Sequence, residues 1–564
     1  MIGKTEDSRW VSIAFADAKR DIIAVIFASS VSYTLQIFIA LFAMVIYNKI
    51  IPNNAFDTLK SITFGVLIII GSDFLFKILK NRIQEQQNRQ LELRLSDRLY
   101  SKIIGWDLQS VPKLPASSSL LLRDVDTVVQ LFGNTLLNVV VGLPFVFVYV
   151  FVIYYVASQL AFVTLFAALI ALSINLSFFK LVERASSDAK DALIEKSAAF
   201  IETLNNIEGI KSLGTYQHFF RKWQRVQEIN ATQSDRLNRY LSDATTATGL
   251  VTSSAQVLIL AYGAYLVFQG GISPGSLIAA VLLHGRAQQP IQAMMQFLIR
   301  YSVAKTAIKR LTNVFQTTSN EELRRQNIRI EEVSKQVQFR DVAFTVGEIK
   351  RSLLTIPKLN FLPDQKVGIL GSVGSGKSTF VKLLAGILTP TEGSITFGAY
   401  DTTAIDQGIL RQSVAYLGQQ PAIFSGTIRE NITLSKRDAT DPEIELALEL
   451  SGFDKILKGF PNGLSFPLSE GGRELSGGQK QILALTRTLL SDPKIIVLDE
   501  PTSAMDPRHE HMFIRRMQKF TEGRSFFVVT HRRPILTLVD RIIVIENGKI
   551  VMDGARDEIL SKFK

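Results

Sequence analysis

The sequence predicts a multidomain membrane protein: an all-α half with six transmembrane helices, then an α/β half built on a phosphate-binding loop. Three observations predict it. Long apolar runs crowd the first 300 residues of the 564-residue chain, short β-rich runs alternate with helical patterns after residue 336, and the glycine-rich loop Gly371–Thr379 follows one of those strands. Composition agrees. Hydrophobic residues make up 47% and charged residues only 20%, with a mean hydropathy of +0.19, which excludes a disordered or charge-driven polymer. The chain has no cysteine, so disulfide frameworks, thiolate metal sites and cysteine nucleophiles are excluded.

Residues 1–20 are mixed in charge and lack a small-residue cleavage site, so they read as a cytoplasmic segment rather than a signal peptide. Apolar runs long enough to cross a ~30 Å hydrocarbon layer follow at 21–47, 61–79, 132–156, 160–181, 247–269 and 274–300. The last is interrupted by His284, Arg286, Gln288, Gln289 and Pro290. Lys and Arg concentrate between the second and third runs (Arg82 to Arg123) and between the fourth and fifth (Arg184 to Arg239), while the other loops are nearly bare. The positive-inside rule therefore places both termini and the two long connectors in the cytoplasm. Ile83, Leu91, Leu95, Leu99 and Ile103 recur near helical spacing, so the connectors read as helices extending from the membrane. The net charge of +12 is read as topology and solvated faces, and no nucleic-acid partner is expected. The expected organisation is a terminal segment 1–20, a six-span domain 21–310, a polar linker 311–336 and an α/β domain 337–564.

In the last of these, the runs VGIL, SVAYL, KIIVLD, SFFVVT and RIIVIENGKIV suit a largely parallel sheet. Gly371-Ser372-Val373-Gly374-Ser375-Gly376-Lys377-Ser378-Thr379 leaves the first of them and opens a helix. Glycines let successive N–H groups face phosphate oxygens, the helix N-terminus adds positive charge, Lys377 reaches the β- and γ-phosphates, and Ser378 offers an oxygen to Mg²⁺. KIIVLD ends in Asp499, followed by Glu500: one carboxylate suits the metal, the other the attacking water. Ser476-Gly477-Gly478-Gln479 opens a second helix with the same anion-binding character. One active site does not need two such helix ends, so the Ser476 turn of one copy is expected to cap the nucleotide held by the Lys377 loop of another.

The order of these motifs, with Gln419 before a proline in YLGQQP and His531 ending FFVVTH, resembles an ATP-binding cassette (ABC) domain. Six spans followed by one cassette resemble an exporter half-transporter. The resemblance implies ATP and Mg²⁺ as cofactors, a metal site of Ser378, Gln419 and Asp499, catalysis by Glu500 with His531 holding the γ-phosphate, and Ser503 to Asp506 at a dimer interface. One position departs from the pattern: Val346 ends the Val342-Ala343-Phe344-Thr345-Val346 string where the family stacks adenine on an aromatic ring, which weakens the expectation for the base.

The stretch Tyr47 to Leu59, the Ser469-Glu470-Gly471-Gly472-Arg473 segment and the Met505 of SAMD are similar to type I protein-secretion exporters, particularly those of repeat-rich toxins and adhesins. That resemblance implies a protein or peptide cargo, a bacterial inner-membrane location, a second half-transporter as homodimer or heterodimer partner, contact with membrane lipid, and a periplasmic adaptor with an outer-membrane channel. A lipid or drug exporter is the alternative. With about 20 residues before the first span, no N-terminal peptidase-like domain is expected. Asp73 and Arg286 are expected at comparable depth, facing the path and pairing, with His284, Gln288, Gln289, Gln36 and Asn175 as path lining or interhelical glue. Coupling is expected through the connector tips near 112–122 and 207–220.

Overall fold

The computed structural model describes residues 19–106, 115–316, 330–346 and 351–562. The expected N-terminal segment lies outside the described residues up to residue 18, as do residues 112–114 of the first connector tip and 317–329 of the expected linker. The chain divides into two units at about residue 317.

The first unit is helical throughout. Helix α1 (Lys19–Val45) continues through a π turn (Ile46–Ile50) into a short loop and then α2 (Phe56–Ile104). Helix α3 (Pro115–Gln130) passes through a second π turn (Leu131–Thr135) into α4 (Leu136–Val156), which is followed at once by α5 (Ser158–Asn205). A short α6 (Ile207–Ser212) and a turn through Gly214 lead into α7 (Tyr216–Phe268) and α8 (Pro274–Gln316). The second connector tip is thus a helix of under two turns. At ~1.5 Å per residue the 49-residue α2 and 53-residue α7 are more than twice as long as a bilayer core is thick, so each projects well beyond it.

Five helical stretches, the α8 helix not among them, are long and apolar enough to cross a membrane by composition. α8 forms continuously through Pro290 for 43 residues, but its polar cluster lowers its apolarity, so the expected sixth span rests on its packing. That packing is extensive: Leu283, Ala287 and Ile291 of α8 are buried with Tyr149 and Ile153 of α4, Leu160 and Ala168 of α5 and Ile259 of α7. Alanines recur here because small side chains let helices approach closely where lipid supplies no hydrophobic drive. A second cluster buries the expected stripe of the first connector, Leu91, Leu95 and Leu99, against Val125 and Val128 of α3 and Leu311 of α8.

Several polar residues of the spans find interhelical partners. Asn175 donates to the carbonyl of Ile291 at 3.2 Å and accepts from Thr248 at 3.4 Å, tying α5, α7 and α8. His284 Nδ1 lies 3.3 Å from the Thr164 hydroxyl. Gln36 and Gln288 are buried, Gln288 with neither amide atom hydrogen-bonded, and Gln289 is exposed. Asp73 does not pair with Arg286. Its carboxylate accepts from Ser32 at 2.5 Å and from Lys77 at 2.6 Å. Helix α2 begins at Phe56, earlier than the apolar run suggested, so Asp73 sits 17 residues into its helix against 12 for Arg286. At ~1.5 Å per residue that is about 7 Å of difference in depth.

The second unit holds two main sheets. Strands β1 (Val337–Val346), β2 (Arg351–Phe361), β4 (Glu392–Phe397) and β5 (Tyr400–Asp401) form an antiparallel sheet in the order β2-β1-β4-β5. Strands β3 (Lys366–Leu370), β6 (Val414–Leu417), β9 (Ile495–Asp499), β10 (Ser525–Val529), β11 (Arg541–Glu546) and β12 (Lys549–Ala555) form the other in the order β12-β11-β3-β10-β9-β6, parallel except at β12. β7 (Gly426–Thr427) and β8 (Pro467–Leu468) make a small pair. Every residue of β9 and β10 is buried, as a parallel sheet covered on both faces requires. The run RIIVIENGKIV is not one strand. It folds at Asn547 and Gly548, both with positive φ (47° and 75°), the signature of a tight hairpin turn.

Candidate active site

β3 delivers the chain to Gly371, whose φ is 149°. A Cβ there would lie 2.0 Å from the Ile545 carbonyl oxygen, so only glycine lets the loop pass beneath the β11–β12 hairpin. Gly376, at φ 104°, caps helix α9 (Lys377–Leu384) in a left-handed conformation. The loop between them curls around the Lys377 ammonium, which donates to the carbonyls of Gly371 (2.8 Å) and Ser372 (2.7 Å). Burial holds the Lys377 amine below its usual range, opposed by the nearby Glu500 and Asp499 carboxylates. Ser375 Oγ is buried without a partner, Gly374 has open space around its Cβ direction, and Val373 is 93% exposed. The loop is a cradle with unsatisfied donors, as a phosphate chain requires.

Across from it, Asp499 ends β9 at 2% exposure. Burial raises its carboxyl above the usual range, and the bonded Ser378 hydroxyl partly offsets this. Ser378 and Asp499, brought together at the first turn of α9, form an oxygen-only pair suited to a hard cation that keeps several non-protein ligands. The next residue, Glu500, is the distinctive one: its φ is +52°, a conformation that costs a non-glycine residue roughly 1–2 kcal/mol. Its backbone is held there from both sides. The amide donates to Val529 O (2.9 Å), and the carbonyl accepts from Gln481 Nε2 (2.6 Å) and Ser503 Oγ (3.0 Å). The side chain is thereby aimed so that Oε2 lies 3.4 Å from Gln419 Nε2 and Oε1 lies 3.6 Å from His531 Nε2. Gln419 comes from the loop after β6 and His531 from the end of β10, so two separate segments converge on the one carboxylate.

The other expected residues lie elsewhere. Ser476 caps helix α14 (Gly477–Leu490), which follows α10 (Gln407–Ser413), α11 (Ile428–Thr433), α12 (Asp441–Ser451) and α13 (Phe453–Leu457) in the chain. Its hydroxyl accepts from Gln479 N at 3.3 Å while Gln479 Oε1 accepts from Ser476 N at 2.8 Å. This capping box occupies both side chains and leaves the first-turn amides of Gly477 and Gly478 without intrahelical partners. Asp506 caps helix α15 (Pro507–Phe520), accepting from the amides of Arg508 and His509, each at 2.9 Å. The His509 amide and ring hold its carboxyl below the usual range. Among the described residues no hydrogen bond or ion pair joins Ser476–Gln479 or Asp506 to the Lys377 loop. The side chain of Val346 lies outside the described residues, so the adenine-stacking expectation has no counterpart here.

Sequence reasoning passed over Gln481 and Arg532, which support this site, and placed Ser503 only at a dimer interface, whereas its hydroxyl donates to the Glu500 carbonyl. Gln481 is 5% exposed within the apolar run KQILALTRTLL, and a buried amide must have a partner; that was the available signal. Arg532 donates to the carbonyls of Met505 (3.0 Å) and Ser503 (3.2 Å) and to Glu510 (3.1 Å), bracing the segment after Glu500.

Known proteins resemble both halves of the chain. Residues 22–291 match the ABC transporter transmembrane region, and residues 354–503 match the ABC transporter family. The chain is 26% identical over 534 residues to the leukotoxin translocation ATP-binding protein of Pasteurella haemolytica-like sp. (strain 5943B), spanning 94% of this chain and 75% of that protein. It is 27% identical over 537 residues to the protein of the same description from Mannheimia glucosida, with the same coverage. The fold is similar to that of a bacterial Atm1-family ABC exporter solved with ATP bound, with a TM-score of 0.84 at 20% identity and 97% of each chain covered. With a transmembrane region and an ATP-binding domain in succession on one chain, the protein belongs to the ABC transporters, as an exporter half-transporter that hydrolyses ATP.

Proposed function

We propose that the chain is the ATPase half of a protein or peptide exporter of the type I secretion kind, in a bacterial inner membrane. The hydrolytic part of this reading is carried by one observation: a glutamate in a strained conformation, held by hydrogen bonds at both its amide and its carbonyl, with each carboxylate oxygen facing a different polar side chain. Strain of this kind persists only where the surroundings over-determine it, and it concentrates at functional sites. In this reading the Gly371–Thr379 loop binds the triphosphate through its amides, and Lys377 turns from its own loop carbonyls to the β- and γ-phosphate oxygens. Ser378, Asp499 and Gln419 would hold Mg²⁺, which supplies charge neutralisation on the phosphates when bound. Glu500 accepts the proton of the attacking water and His531 donates to the γ-phosphate. The free amides of Gly477 and Gly478, with Ser476 and Gln479, close the site from a second copy or a related half, and Asp506 lies at that junction.

The cargo assignment is supported by the leukotoxin-translocating relatives and by the subfamily residues 47–59, 469–473 and 505. It brings with it a periplasmic adaptor and an outer-membrane channel. The experiment is ATPase activity of the full chain in proteoliposomes, titrated with the C-terminal segment of a repeat-rich toxin or adhesin, and separately with lipid or a hydrophobic drug. Stimulation by the peptide alone is expected. Stimulation by lipid or drug and none by peptide would replace the cargo assignment with the lipid or drug exporter.

A further inference from the structure

We propose that Arg487 is a positioning residue for hydrolysis, which fastens the loop carrying Gln419 to helix α14 so that Gln419 and the Ser476 turn move as one piece. The inference rests on the hydrolysis reading above and adds a residue to it. The Gln419 loop leaves β6 and runs to Gly426, and at its active end the Gln419 amide touches Glu500. Gln419 and Gln420 are exposed there, just past the buried end of β6. The side-chain anchors of the loop lie at its far end. Arg487, in the last turn of α14, donates to the Ala422 carbonyl at 3.0 Å and lies over the Phe424 ring at 5.7 Å. Phe424 is 52% exposed, so the ring stays at the surface without core packing to hold it, and the guanidinium across its face is what orders it.

Other contacts tie the same stretch to the segment that leads into Ser476. Gly471 N donates to Ile423 O at 3.2 Å, and the space beside Gly472 is filled by Ile423, 2.8 Å from where a Cβ would stand. Asn431 clamps Phe424 from the third side, accepting from its amide at 3.0 Å and donating to its carbonyl at 2.9 Å. The loop 422–424 is therefore gripped by Gly471–Gly472, just before Ser476, and by Arg487, about 16 Å farther along α14, since eleven residues at ~1.5 Å each separate Ser476 from Arg487. A two-point grip transmits rotation, where a single contact would act as a pivot. A change at Gln419 caused by the nucleotide in one copy then reorients the Ser476 turn that serves the other copy's nucleotide. Arg487 is the grip farther from Ser476, and a planar fork with a carbonyl and a ring as partners suits arginine and not lysine.

The test is steady-state ATPase of the full chain in proteoliposomes, with Arg487→Ala, Gln419→Ala and the double variant compared. Misplacing a catalytic group by about 1 Å costs up to ~10²-fold, so Arg487→Ala should lower kcat by ~10-fold or more with KM for ATP within ~2-fold. If Arg487 acts through Gln419, the double variant should be no slower than Gln419→Ala alone. Arg487→Lys should recover part of the loss, because it restores a cation over Phe424 and one donor. Multiplicative losses in the double variant, or a raised KM with kcat unchanged, would overturn the proposal. Should Arg487→Ala fail to fold, Phe424→Leu, which removes only the ring beneath the guanidinium, carries the same cycle with Gln419→Ala. Glu500→Gln stops turnover whether or not Arg487 matters, so failure here is distinct from failure of the hydrolysis reading.

Discussion

Replacing Arg310 by methionine removes one side of a buried ion pair and leaves the other in place. Arg310, near the end of α8, grips Asp124 of α3 bidentately, Nε to Oδ2 at 2.6 Å and Nη2 to Oδ1 at 2.5 Å. The Asp124 side chain is 4% exposed, and Lys190 of α5 waits 3.7 Å from the same Oδ1. An unpaired buried charge costs about 3–5 kcal/mol, and hydrogen bonds to charged groups contribute about 1.5–3 kcal/mol each. Lys190 need move only about 1 Å to replace one of the two bonds lost, so a net loss of about 2–4 kcal/mol is expected. Trp106 and Trp223 lie in the helical unit, and no tryptophan follows Trp223 in the sequence, so intrinsic fluorescence during thermal unfolding in detergent does not report the cassette. At about 2–4 °C per kcal/mol for a large domain, the transition should fall by about 4–16 °C. Lys190→Met, which removes the longer contact, should move it by less than about 2 °C. The double replacement Asp124→Leu with Arg310→Met removes both charges and should recover most of the loss. A double variant as unstable as Arg310→Met, or an Arg310→Met transition equal to wild type, would refute the reasoning that the loss comes from a stranded carboxylate.

Three further outcomes follow from the ATP site. Burial raises the Asp499 carboxyl above its usual value, so in the nucleotide-free protein its charge opposes folding, and that contribution grows as pH rises from the unfolded value through the folded one. Asp499→Asn should therefore raise the thermal transition of the cassette without nucleotide at pH 7, measured calorimetrically, while removing the additional Mg²⁺-dependent part of ATP stabilisation; a lower transition without nucleotide would contradict this. Gly371→Ala places a Cβ 2.0 Å from a backbone oxygen and should abolish ATP binding by fluorescent-nucleotide titration, with a smaller loss for Gly374→Ala, whose φ of 81° strains an alanine but whose Cβ meets nothing. Gln481→Leu keeps the volume but releases the Glu500 carbonyl, and should lower kcat by ~10-fold or more with KM little changed.

Much of this molecule was legible in its sequence because the informative signals are local. A strand, a glycine loop and a helix adjoin in 366–384, and Ser476 to Gln479 spells a capping box at a fixed spacing. The antiparallel sheet was not read, and β1 shows why. Val337 and Phe339 are buried, but a residue at positive φ, Asp341 (48°), interrupts the alternation, and the buried side chains resume at Val342 and Phe344 with their phase shifted. β2 changes phase in the same way around Pro357, from Leu354 and Ile356 to Leu359 and Phe361. A period-two pattern cannot be followed through a bulge. The Asp73–Arg286 expectation failed for a related reason: depth was counted from where apolarity begins, at residue 61, whereas the helix begins at Phe56. Gln481 and Arg532 support Glu500 from 19 residues before it and 32 after, and only the fold brings them there.

The central claim is that Glu500, between Gln419 and His531, is the base for ATP hydrolysis. Glu500→Gln keeps the size and backbone of the residue and removes the proton acceptor. General-base catalysis contributes about 10²–10⁴-fold, so phosphate release by the purified chain in proteoliposomes should fall by at least ~10²-fold while fluorescent-ATP affinity stays within ~3-fold. Turnover by Glu500→Gln within a few-fold of wild type, with binding unchanged, would contradict the account.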